Sequence, residues 1–188
     1  DLVRSRGLGD VYKRQVRKSM SKQMWQAFVS FNATISRWCM YIAVAGLVGI
    51  VATVALQVFG RYVLNDTPTW AESTALVLIL YVTMLGAAVG VRDAGHIGLE
   101  SLLILVPDGL RLKLEALIHL LVGTFGVIMA WNGAVLAESV MAYKIPTLGL
   151  SEGINHLPLV IAGILIALFS LEHIVALVRG EDVEPSWH

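Results

Sequence analysis

Charge is scarce in this chain. Lys, Arg, Asp and Glu make up 15% of its 188 residues, against about a quarter in an ordinary soluble domain. Hydrophobic residues make up 56%, and they are gathered into long runs that a soluble core does not need. That pattern excludes a soluble globular domain and gives no basic, aromatic-interleaved surface for nucleic acid. Cysteine is nearly absent as well. Cys39 stands alone, so no intrachain disulfide can form, and no Cys/His cluster suggests zinc; a buried structural thiol is expected. Gly-rich nucleotide loops, a nucleophile elbow and a His-Glu-x-x-His pattern are all missing. Hydrolysis of ATP by a Walker-type loop is therefore excluded, and no catalytic residue, cofactor or metal site is expected. No cleavable signal peptide is expected either, because the basic N-terminus leads into a long run without an Ala-x-Ala-like exit.

What the chain does have is four apolar runs: Trp38–Phe59, Ser73–Val91, Leu114–Ala137 and Leu157–Val178. Each is long enough to cross a hydrocarbon core that needs ~20 helical residues. Trp38 and Tyr41 mark one interface of the first run, Tyr62 and Trp70 the other. Pro158 falls in the first turn of the fourth run, where a missing N–H costs little. The expected fold is all-α: a four-helix membrane domain over residues 38–178, with amphipathic surface helices and a polar tail over 179–188. No internal repeat is visible.

Residues 1–15 fit none of these patterns. The string resembles a translated adapter remnant and is expected to be a non-native leader. From Val16 to Arg37 the pattern changes. Val16, Met20, Met24, Ala27, Phe28, Phe31 and Ile35 share one side of a helical wheel, and Lys18, Lys22, Gln23 and Gln26 lie largely on the other. This predicts an amphipathic helix with a basic face for anionic lipid headgroups; the alternative is a straight extension of the first span. Leu99, Leu102, Leu103 and Val106 predict a second surface helix, ended by Pro107-Asp108-Gly109. Asp108 is expected to cap the next helix. That helix, run from Gly109 to Met141, would exceed the bilayer at ~1.5 Å per residue.

Net charge is zero, yet its distribution is informative. Of fourteen Lys and Arg residues, only Arg61 and Lys144 fall in the first and third inter-span loops. The other twelve lie in the N-terminal segment, the middle loop (Arg92, Arg111, Lys113) or at Arg179. Without residues 1–15 the ratio is still eight to two. Both termini are expected in the cytoplasm.

The motifs cluster between Gly60 and Pro107. They are Arg61 and Asn65, then Trp70-Ala71-Glu72, then Leu85-Gly86-Ala87-Ala88, then His96-Ile97. In this order, on this helix pattern, they resemble the small membrane subunit of TRAP (tripartite ATP-independent periplasmic) transporters, the DctQ-like family. The helix pattern extends the resemblance over roughly Phe31 to Val178. The sequence departs from the family's acidic pair after tryptophan, since Ser73 follows Glu72, and Glu100 stands where an aspartate often follows His-Ile.

The resemblance implies a multi-pass protein of the bacterial or archaeal inner membrane with two partners besides lipid. One is a large permease subunit that carries substrate and coupling ion; the other is an extracytoplasmic solute-binding protein. The small subunit would scaffold the large one for ion-coupled uptake of a small solute, by family expectation a carboxylate imported with sodium. Partner-interface candidates are Arg61, Asn65, Trp70, Glu72, Gly86, Gly90, His96 and Glu100. From the residues alone, Gly86 and Gly90 form a small-residue face for close helix contact, within the bundle or with a partner. Arg61 and Glu72 could pair with each other or with a partner, and His96 and Glu100 are four apart on one helix turn. A non-transporting role also agrees with the middle thirds of the spans, which hold no charge where ion and substrate sites usually sit.

Two rival readings compete. His119 and His173 each lie about five residues inside the inner end of a span, and antiparallel helices would bring them to one depth. Such a pair is what bis-histidine haem needs in a membrane redox subunit. A stand-alone carrier would instead need an intramembrane polar path, for which Gln57, Thr83 and Asn132 are the available groups.

Overall fold

A computed structural model describes the backbone of residues 2–66, 68–93, 107–181, 183, 185 and 186. Among these residues the structure is four α-helices with short turns: α1 (Leu2–Phe59), α2 (Thr69–Asp93), α3 (Asp108–Ser139) and α4 (Leu157–Arg179). Each of the four is long and apolar enough to cross a membrane. The predicted surface helix over 99–106 lies outside the described residues.

α1 corrects the expectation of a separate amphipathic helix. Residues 16–37 run without a break into the first span, as the straight extension. No glycine or proline interrupts the chain between residues 10 and 45, so nothing breaks the i to i−4 ladder. The apolar part, Lys22–Leu64, has 43 residues and reaches about 65 Å at ~1.5 Å per residue. A hydrocarbon core is ~30 Å thick, so α1 crosses obliquely or projects beyond it.

At its C-terminal end α1 widens into a π-helical turn, Gly60–Leu64, which Asn65 stops in the left-handed region at φ 51°. Asn tolerates that conformation better than most residues. Pro68 follows and α2 begins at once, so Trp70, Ala71 and Glu72 belong to the first turn of α2 rather than to a loop. α3 begins at Asp108 itself, after Pro107. Asp108 is thus the first helical residue and not the cap. The long third helix is otherwise as expected.

α4 ends at Gly180, whose φ of 68° lets the amide of Glu181 donate to Ala176 O at 3.0 Å and its own amide donate to Leu177 O at 3.2 Å. This pair of bonds satisfies carbonyls that a helix end otherwise leaves open, and it reverses the chain toward α1. The α3–α4 turn folds on Ser151, which accepts from the Gly153 amide and donates to Met141 O at 2.7 Å. It is tied to α2 by Tyr81, whose hydroxyl donates to Ile154 O at 3.1 Å.

The helices form a row rather than a closed bundle. α1 packs along α2, α2 along α4 and α4 along α3, while α1 and α3 occupy opposite edges. α4 is accordingly the most buried span. The α3–α4 contact is a glycine seam: a Cβ on Gly163 would lie 2.6 Å from both Ala130 N and Gly126 O, and one on Gly126 would lie 2.8 Å from Gly163 O. Such close backbone approach is how helices gain packing energy in lipid, where hydrophobic burial gives no preference for protein over tails. The apolar core proper joins Cys39 of α1 with Leu85, Ala88 and Val89 of α2 and Ala162, Leu165, Ile166 and Phe169 of α4.

Candidate functional site

One helical turn beyond that core, toward the end of the molecule where α2 and α4 finish, lies a cluster of buried charge. Arg92 and Glu172 are 1% and 0% exposed. Arg92 donates from Nε and Nη2 to the two oxygens of Glu172, at 3.2 and 3.0 Å, the two-pronged geometry that suits a guanidinium to a carboxylate. Its Nη1 donates to Asp93 Oδ1 at 2.8 Å. α1 supplies two further donors: Asn32 Nδ2 to Glu172 Oε2 at 2.8 Å, and Ser36 Oγ to Asp93 Oδ2 at 3.0 Å. From the chain beyond α4, Ser186 donates its amide to Asp93 Oδ1 at 3.2 Å and its hydroxyl to Asp93 Oδ2.

Three ionised groups out of water are costly unless every lone pair and proton finds a partner, and here three helices and the tail provide those partners. The sequence hid the cluster. Arg92 reads there as an ordinary inner-loop charge and Glu172 as a headgroup contact, because their separation of 80 residues leaves no local pattern. The available signal was a basic residue and a lone acid ending two apolar runs at matching depth.

His119 and His173 do come together, as antiparallel helices allow. Their rings stack with centroids 4.5 Å apart and planes 5° from parallel, and His173 Nε2 lies 3.1 Å from Arg92 O. Axial ligation of haem requires two imidazole nitrogens directed at one iron from opposite sides of a porphyrin. Face-to-face rings in van der Waals range leave no plane for a porphyrin between them, so this pair does not fit haem. The stand-alone carrier fares no better. Thr83 and Asn132 face outward, Asn132 donates to Ile128 O of its own helix at 2.8 Å, and Gln57 sits on α1 at the far edge of the row from α3. These groups form no shared path.

The candidates where α1 meets α2 are exposed. Arg61 lies in the π turn, Asn65 ends it, and Trp70 and Glu72 project from the first turn of α2. Among the described residues, Arg61 and Glu72 make no ion pair with each other. Gly86 is exposed and Gly90 half-buried, and a Cβ added to either would meet nothing within 4 Å. The Gly86–Gly90 face is therefore not a contact within the row. It continues into exposed Thr83 and Ala87, while Leu85, Ala88 and Val89 turn inward. The seams inside the row use other glycines, which sequence reading passed over. His96 and Glu100 lie outside the described residues.

Comparison with known proteins accords with this architecture. The family model for "Tripartite ATP-independent periplasmic transporters, DctQ component" matches residues 50–180. The chain is 25% identical over 139 residues, 73% of its length and 80% of the relative's, to the sialic acid TRAP transporter small permease protein SiaQ of Vibrio cholerae serotype O1. It is 31% identical over 83 residues to the sialic acid TRAP transporter permease protein SiaT of Haemophilus influenzae, a match that covers 44% of this chain and 12% of that much longer one. With four apolar spanning helices and a family match that takes in most of its length, this chain belongs to the DctQ components of the tripartite ATP-independent periplasmic transporters.

Proposed function

We propose that this chain is the small permease subunit that scaffolds a large TRAP permease subunit, with its open α2 face as the main contact. The observation that carries the reading is the stripe of exposed Thr83, Gly86 and Ala87 with half-buried Gly90, whose glycines meet no packing partner among the described residues and which continues along the same helix from the exposed Trp70 and Glu72. Small residues let a neighbouring helix approach closely. The similarity to one eighth of a permease chain supports a lasting contact, since a segment of this kind occurs there within a permease polypeptide. Arg61, Asn65, Trp70 and Glu72 would meet the partner or the extracytoplasmic solute-binding protein at the outer surface. His96 and Glu100 would do so at the inner one. Both termini lie in the cytoplasm by the Lys and Arg distribution, and lipid covers the rest of the row.

The transported solute in this reading is a small carboxylate taken up with a coupling ion. Its support is the family and the names of the two relatives, both of sialic acid transporters. The substrate path belongs to the large subunit, because the cluster of charge in this chain is closed on itself.

Gly86→Leu tests the interface. The variant is expected to insert and to keep the thermal stability of the isolated subunit, while co-purification of the large subunit and solute uptake fall together. One helix contact is worth ~0.6–2 kcal/mol in membranes, so a partial loss is the expected size. Unchanged pull-down with unchanged stability removes this face from the interface.

A further inference from the structure

We propose that the chain just beyond Gly180 is a strap that seals the Arg92–Asp93–Glu172 cluster and locks the inner half of α1 onto α4. The inference rests on the fold and not on the scaffold reading.

Along most of its length α1 touches α2 and little else. Its named links to α4 and the tail are confined to one end. Asn32 reaches Glu172, and the Trp25 ring carries the Arg179 guanidinium 4.9 Å from its centroid. Trp25 Nε1 also donates to Glu181 Oε2 at 2.7 Å. Glu181 is the first residue after the left-handed turn at Gly180, so the reversal that ends α4 delivers a carboxylate directly to α1. Further on, Pro185 fixes the backbone before Ser186, and Ser186 lies 4% exposed with both its amide and its hydroxyl on Asp93. Asp93 also accepts from Ser36 of α1 and pairs with Arg92. One carboxylate therefore joins α1, α2 and the tail.

The strap thus has two fastenings: Glu181 on Trp25 of α1, and Ser186 on Asp93 of α2, where the Ser186 hydroxyl also lies 3.4 Å from Ser36 Oγ of α1. Closed, it covers the side chains of Asp93 and Arg92, each fully buried. Open, it would leave Asp93 with two donors fewer and α1 tied to α4 at this end by Asn32 and by the Arg179 guanidinium over Trp25. Whether α1 moves with α2 or with α4 then depends on the tail.

The experiment is amide hydrogen exchange on the full chain in lipid nanodiscs, comparing the native protein with Ser186→Glu and Ser186→Ala. The glutamate sets a second carboxylate against Asp93 and should expel the tail. Exchange is expected to speed up about tenfold over residues 28–36 and 89–93, the effect of losing a hydrogen bond to a charged group. The glycine seam (residues 126–133 and 160–167) should keep its native rate. Ser186→Ala removes only the hydroxyl and threatens folding least. It should move the same segments in the same direction by less. Native rates in both variants would overturn the strap. So would a rise spread evenly over the seam as well, because the tail would then be an ordinary part of the core.

Discussion

Replacing Arg92 with alanine takes the shared cation from Asp93 and Glu172 and leaves both carboxylates out of water. Removing one partner from a buried ion pair costs ~3–5 kcal/mol. Arg92→Ala is therefore expected to lower the thermal midpoint of the isolated subunit sharply and to reduce its yield from membranes. Arg92→Lys keeps the charge but loses the two-pronged contact to Glu172, and should fall between alanine and the native protein. Gly163→Ala makes a second test at this scale. Its methyl group would sit 2.6 Å from the Ala130 amide nitrogen, forcing α3 and α4 apart at ~1–3 kcal/mol. The same change at Gly86 meets open space and should leave stability untouched, as differential unfolding of the two variants would measure. Sequence alone ranks these glycines the other way. Gly86 and Gly90 stand out as a spaced pair, whereas Gly126 and Gly163 mean something only once α3 and α4 are laid side by side.

The spanning helices were legible because the bilayer imposes a length and a composition on each. Their ends were less so. α2 takes in Trp70 and Glu72, which read as a loop, because a polar first turn is compatible with a helix that enters from the interface. The N-terminal half of α1 was legible as amphipathic but not as continuous with the span. The reason is that its polar side contains Asn32 and Ser36, which find partners in α2 and α4 rather than in water. Residues 2–15 are helical in continuity with α1, and the spans begin well after them. Deleting residues 1–15 is expected to leave membrane insertion unchanged, because all four spans remain and so do eight of the twelve basic residues outside the first and third inter-span loops. Fractionation of the truncated chain into soluble material would contradict this.

The whole molecule is a multi-pass inner-membrane protein laid out as a row, and a row has two broad faces where a bundle has one surface. That shape suits a subunit that supports another, and as a transporter component it is not an enzyme. It also makes orientation testable with simple fusions. A reporter active only outside the cytoplasm should work in the Arg61–Asp66 turn and in the Ala142–His156 turn, and should be silent when fused at the C-terminal end. The opposite pattern would reverse the inside and outside of every contact proposed above. The family was legible in the order of its short motifs, whereas a contact made with another chain would leave no mark on the packing of this one.

The charge cluster also bears on how the protein is made. Arg92 leaves the ribosome 80 residues before Glu172, and Asp93 leaves it 93 residues before Ser186. During synthesis the first two helices are therefore complete before α4, with Arg92 paired to Asp93 and Ser36 donating to Asp93. α4 cannot settle until its own acid reaches that waiting arginine. A nascent chain that stalls before Glu172 carries Arg92 without the carboxylate that takes two of its donors.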